Sequence, residues 1–121
     1  MAQRILVVDD VAEQREIASG MLTRLGYDVA CVPSGEAAVD YLKDHRVDLL
    51  ILDMIMDPGI DGLETFRRII RIHPGQRVVI TSGYSESDRV QEARKLGAGV
   101  YVKKPYRLDT IARAVRDELK R

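Results

Sequence analysis

The sequence predicts an open, doubly wound α/β sheet in which five parallel strands are each followed by a helix. Three observations carry that prediction. Short apolar, β-branched runs recur five times, and most are flanked by Gly, Pro or Asp. Segments with helical spacing fill the gaps between the runs. With helices between the strands, the connections require parallel pairing and right-handed crossovers.

Each element has its own signature. The first strand is Ile5–Val8, and Ile17, Met21, Leu22 and Leu25 then fall on one helical face that Gly26 stops. The second strand is Tyr27–Val32. Ser34 is placed as the N-cap of a helix carrying Ala37, Ala38, Tyr41 and Leu42. The third strand, Leu49–Leu52, stops at Asp53; its helix carries Leu63, Phe66, Ile69 and Ile70 and ends at His73-Pro74-Gly75. The fourth strand is Val78–Thr81, with a helix from about Ser87 to Leu96 closed by Gly97. The fifth is Val100–Val102, followed by a helix carrying Leu108, Ile111, Ala112, Val115 and Leu119. Strands this apolar are expected to be buried on both faces.

Length and composition bound the rest. The 121 residues make one domain, taken as 1–121, with no internal repeat, low-complexity tract or linker. Apolar residues are 45% and charged residues 31%, a mixture that folds and does not stay disordered. Basic and acidic residues number 19 each, so the basic excess of a nucleic-acid or membrane surface is missing. Cys31 has no partner for an internal bridge, and His45 and His73 form no zinc-type cluster with it. No stretch nears the roughly 20 apolar residues of a membrane helix, and Met1–Arg4 lacks the apolar core of a signal peptide. An untargeted cytoplasmic domain, with no effector segment beyond Lys120-Arg121, is the expectation.

In such sheets ligands bind beyond the carboxyl ends of the strands. Strand one ends Val8-Asp9-Asp10, strand three Leu52-Asp53, strand four Thr81-Ser82-Gly83, and strand five Lys103-Lys104-Pro105. Taken singly, each has a plain reading: Asp10 caps a helix, Asp53 and Ser82-Gly83 form turns, Lys104 is a solvated charge. Together they bring three carboxylates, a hydroxyl and an ammonium to one edge. Two carboxylates about 4 Å apart repel by about 4 kcal/mol at an effective dielectric near 20. A third raises the pKa values further unless a cation sits among them. Mg2+ suits an oxygen-only set where phosphate is handled. The set is equipment for an aspartyl nucleophile that accepts a phosphoryl group.

The chain resembles the receiver domains of two-component response regulators over essentially its whole length. The resemblance rests on Val7-Val8-Asp9-Asp10, Leu52-Asp53-Met54, Pro58 with Asp61-Gly62, Ser82-Gly83 and Lys103-Lys104-Pro105. It implies a flavodoxin-like sheet in the order 2-1-3-4-5, with Asp53 as phosphoacceptor. It implies that Asp9 and Asp10 hold Mg2+, Asp10 directly and Asp9 through water, helped by the Ile55 carbonyl. Ser82 matches the switch hydroxyl, Lys104 the lysine, and Tyr101 the aromatic ring that swings inward on activation. Lys104-Pro105 matches a cis peptide. Ile55 and Tyr84 match the positions that tune the lifetime of the aspartyl phosphate. The implied donors are a histidine kinase or a histidine phosphotransfer domain. The implied output surface is the fourth helix, fifth strand and fifth helix. Such a domain is no turnover enzyme: it catalyses only its own phosphorylation and slow dephosphorylation.

One departure stands out. Asp53 through Gly62 spans ten residues, one more than is usual in the family, with the extra residue at Asp57 or Gly59. This Asp-Pro-Gly form, with Ser82-Gly83-Tyr84, resembles receivers of hybrid histidine kinases; a free-standing regulator is the alternative. Two other readings compete. A haloacid-dehalogenase-like phosphotransfer enzyme wants two aspartates separated by one residue and a cap domain. A degenerate receiver that only docks usually lacks an acid or the lysine. Met54 and Met56 are read as core or loop filling, and Arg67, Arg68 and Arg71 as a solvated face.

Overall fold

The computed structural model describes residues 2–83 and 88–121. The elements alternate as β1 (Arg4–Val8), α1 (Ala12–Arg24), β2 (Asp28–Val32), α2 (Gly35–Asp44), β3 (Leu49–Asp53), α3 (Gly62–Ile72), β4 (Val78–Ser82), α4 (Asp88–Lys95), β5 (Tyr101–Lys103) and α5 (Leu108–Leu119). All strand pairs are parallel, in the order β2-β1-β3-β4-β5. That is the predicted architecture and order. The start of the fourth helix was expected at Ser87, which lies outside the described residues.

The two-residue period of a strand divides the core into two layers. Leu6, Val8, Leu50, Leu52, Val78 and Ile80 face α2, α3 and α4, meeting Ala38, Leu42, Leu63, Phe66, Ile69, Val90 and Ala93. Ile5, Val7, Leu49, Ile51 and Val79 face α1 and α5, meeting Ala18, Leu22, Ile111, Ala114 and Val115. Both faces of β1, β3 and β4 are therefore dry, as their unbroken apolar runs require. Met54 and Met56 are buried in the first layer, as the sequence suggested. The Ser34 cap is as read, its Oγ accepting from the Ala37 amide at 3.0 Å, whereas Asp10 does not cap α1, whose N-cap is Val11.

Two expectations are corrected. The buried stripe of α1 is Ala18 and Leu22 with part of Met21, whereas Ile17 and Leu25 are 43% and 37% exposed. Small Ala18 lets the helix approach the sheet, and Ile17, one residue earlier, is turned about 100° away. β2 and β5 are also not buried on both faces: Asp28, Cys31 and Lys103 are exposed, because these are edge strands with a neighbour on one side only.

Strand order reverses between β1 and β3, since β1 pairs with β2 on one side and β3 on the other. The crevice outside their carboxyl ends is where such a sheet binds ligands. Asp9, Asp10 and Asp53 stand at that point.

Candidate functional site

The register explains how distant residues meet. Val8 pairs with Leu52, so Asp9 emerges beside Asp53, and Asp53 pairs with Thr81. Ser82 pairs with Lys103, and the Lys104 amide donates to the Ser82 carbonyl at 2.7 Å. The Lys104-Pro105 peptide is cis, as expected; the cis Asp57-Pro58 peptide was not foreseen.

Asp9 and Asp53 are buried, whereas Asp10 is exposed. Lys104 Nζ donates to Asp9 Oδ2 at 2.5 Å and lies 3.4 Å from Asp53 Oδ2. The other Asp9 oxygen accepts from the Val11 amide at 2.9 Å. Arg15 ties down the same residue by donating to the Asp9 carbonyl at 2.7 Å. Asp53 Oδ1 accepts from the Ile55 amide at 3.3 Å. Burial pushes the Asp53 carboxyl up to about 6; Lys104 and the Ile55 amide oppose that rise, and Asp9 adds to it. Lys104 outweighs Asp9, so the rise is the cost of burying the charge and not of repulsion between the acids.

A further cation would offset that burial penalty. Asp9, Asp10 and Asp53 each offer an oxygen, all within 4.8 Å of one another. A donor set of carboxylate oxygens suits a hard divalent ion, so the residues fit Mg2+. Asp10 has the more available oxygens: it is exposed, and the Asp57 amide stands at a long 3.4 Å from Oδ2. A cavity of about 500 Å³ opens over the site between Asp10, Gln14, Asp53, Ile55, Gly83 and Lys104.

The remaining expected residues fall as follows. Ser82 is buried at the carboxyl end of β4. Tyr101 is half-buried on β5 against the first core layer. Ile55 is 50% exposed at the rim of the cavity. Tyr84, the second lifetime position, lies outside the described residues. Arg67 and Arg68 pair with Glu64 and Glu92 on the surface, in keeping with a solvated face.

Besides Arg15, two residues near the site escaped the sequence reading. Burial, with Asp9 and Asp53 nearby, pushes the Tyr106 hydroxyl up to about 12. The one available signal was an aromatic two residues beyond the strand-ending lysine. Glu36, on the first turn of α2, accepts from the Ile60 amide at 2.9 Å and so holds the loop between β3 and α3. Nothing in its local sequence marks it.

Comparison with known proteins agrees with this fold. The chain is 36% identical over 119 residues to sporulation initiation phosphotransferase F of Bacillus subtilis, covering 98% of this chain and 95% of that protein. It is 30% identical over 116 residues to the chemotaxis protein CheY of Thermotoga maritima, covering 95% and 96%. Among solved structures, the N-terminal domain of a response regulator/sensory box/GGDEF protein from Carboxydothermus hydrogenoformans superposes with a TM-score of 0.91 at 28% identity, covering 98% and 94%. A CheY-like receiver domain protein from Methanospirillum hungatei, at 21% identity and a TM-score of 0.93, shares the fold. The sequence pattern of the response regulator receiver domain matches residues 5–116. With the acid cluster and lysine standing where the sheet's strand order reverses, the chain belongs to the response regulator receiver domain family.

Proposed function

We propose that Asp53 is the phosphoacceptor of a two-component phosphorelay and that Asp9, Asp10 and the Ile55 carbonyl hold Mg2+ beside it. The observation that carries the reading is Lys104, whose ammonium lies between Asp9 and Asp53 at the carboxyl end of the sheet. An Asp53 carboxylate oxygen attacks the phosphorus of a phosphohistidine on a kinase or phosphotransfer domain. The P–N bond breaks, and the imidazole leaves with the electron pair and takes up a proton. Asp53 must be ionised to attack, and Lys104 favours that form. Lys104 also offsets the charge brought in by the phosphoryl oxygens. When bound, Mg2+ supplies further compensation of that charge.

The domain acts once per phosphoryl group and returns the phosphate slowly to water. Ile55, aliphatic and at the rim, offers no group to orient a hydrolytic water, and Tyr84 is assigned the same role. Ser82 turns toward the phosphoryl group, Tyr101 follows inward, and the surface of α4, β5 and α5 changes partner affinity. The setting is cytoplasmic; no helix among the described residues is long and apolar enough to cross a membrane. The test is incorporation of labelled phosphate from acetyl phosphate or a phosphohistidine donor with Mg2+. Wild type should label and Asp53→Asn should not; equal labelling would refute the assignment.

A further inference from the structure

The lengthened loop between β3 and α3 is held at both ends of its path. Near the site, the Asp57 amide points to Asp10 Oδ2 at 3.4 Å. At the far side, Glu36 Oε2 accepts from the Ile60 amide at 2.9 Å. Gly59 takes a φ of +101°, where a side chain is strained, and a Cβ there would stand 2.8 Å from both Glu36 oxygens. Ile60 also abuts the start of α2, since a Cβ on Gly35 would come 2.7 Å from its Cγ1. The Ile60 hydrogen bond holds the Glu36 carboxyl below its ordinary value, in keeping with a contact to the ionised form.

We infer that Glu36 is a positioning residue for the metal-binding side of the site, acting through the Gly59–Ile60 backbone of the inserted loop. This rests on the reading that Asp9, Asp10 and the Ile55 carbonyl hold a divalent ion. The loop continues directly from Ile55 and touches Asp10, so its path sets how both present their oxygens. Glu36 fixes that path before the ion arrives. Without it, part of the binding free energy is spent ordering the loop.

The test uses the full chain and Mn2+ alone, with free Mn2+ counted by electron paramagnetic resonance. Hydrogen exchange of the Ile60 amide is followed in the metal-free protein. Glu36→Ala should raise the Mn2+ Kd about three- to tenfold, below the usual cost of losing a direct partner of a metal ligand. It should also speed exchange at Ile60. Glu36→Gln keeps an acceptor oxygen and should stay within about twofold of wild type. If Glu36→Ala fails to fold, Gly59→Ala breaks the same contact from the other side and should weaken Mn2+ likewise. An unchanged Kd in the folded Ala variant overturns the inference. Equal losses in Ala and Gln also overturn it, because the effect is then the missing charge acting through space. Failure of wild type to bind Mn2+ overturns the metal reading itself, and this inference with it.

Discussion

Lys104 and Asp9, ninety-five residues apart in sequence, meet in a 2.5 Å ion pair whose two side chains are 14% and 6% exposed. The ammonium also lies 3.4 Å from Asp53. One cation thus serves two buried carboxylates, at the ends of β1 and β3. The electrostatic balance of the site turns on it.

Removing that cation should disable the site without displacing the acceptor. Lys104→Met leaves two buried carboxylates uncompensated, so the Asp53 pKa should rise above its value of about 6. Phosphate incorporation should fall about a hundredfold or more, the scale of losing one charge-stabilising donor. Titration of the Asp53 carboxyl carbon by NMR reads the first effect, and labelling reads the second. An Asp53 pKa that stayed put would mean Lys104 does not couple to it.

Asp53 also makes stability depend on pH. Its folded pKa, about 6, lies above the ordinary aspartate value of 3.8, so folding disfavours the ionised form. The protonated form's advantage is complete below about 4 and is lost as pH rises through about 6. Asp53→Asn removes that penalty. Metal-free, the variant should be more stable than wild type at pH 7 by on the order of 2 kcal/mol, after allowing for partial solvent screening. The gap should close near pH 4. Urea melts at both pH values check it, and a gap that widened in acid would reverse the sign.

Asp9 and Asp10 should respond differently to substitution. Asp10 is exposed with an oxygen available, whereas Asp9 is engaged by Val11 and Lys104. Asp10→Ala should therefore shrink the Mg2+-induced rise in Tm more than Asp9→Ala does. Asp9→Ala should instead lower the metal-free Tm, because Lys104 loses its closest partner. Thermal melts with and without Mg2+ separate the two; the opposite ranking would exchange the residues' roles.

Ser82 should couple the phosphoryl group to Tyr101. Ser82 ends β4, and Tyr101 pairs with Ile80 two residues earlier on that strand. Ser82→Ala should leave labelling of Asp53 largely intact while Tyr101 no longer turns inward. A beryllofluoride complex of the variant with Tyr101 fully inward would break that link.

The elements, their order and the acid–lysine set were legible in the sequence because each has a local cause. Strand runs, helical spacing and the Ser34 cap need only nearby residues, and strand ends locate Asp9, Asp10, Asp53, Ser82 and Lys104. Tertiary structure decided what depends on packing against distant chain. It chose Ala18 and Leu22 over Ile17 as the buried stripe of α1, because close approach to the sheet favours the small side chain there. It exposed one flank of β2 by making that strand an edge. It also routed the ten-residue segment from Asp53 to Gly62 over α2, where Glu36 holds Ile60 across 24 positions of sequence. A single hydrogen bond between an exposed side chain and a loop amide leaves no periodicity to read. Only the fold brings its two ends together.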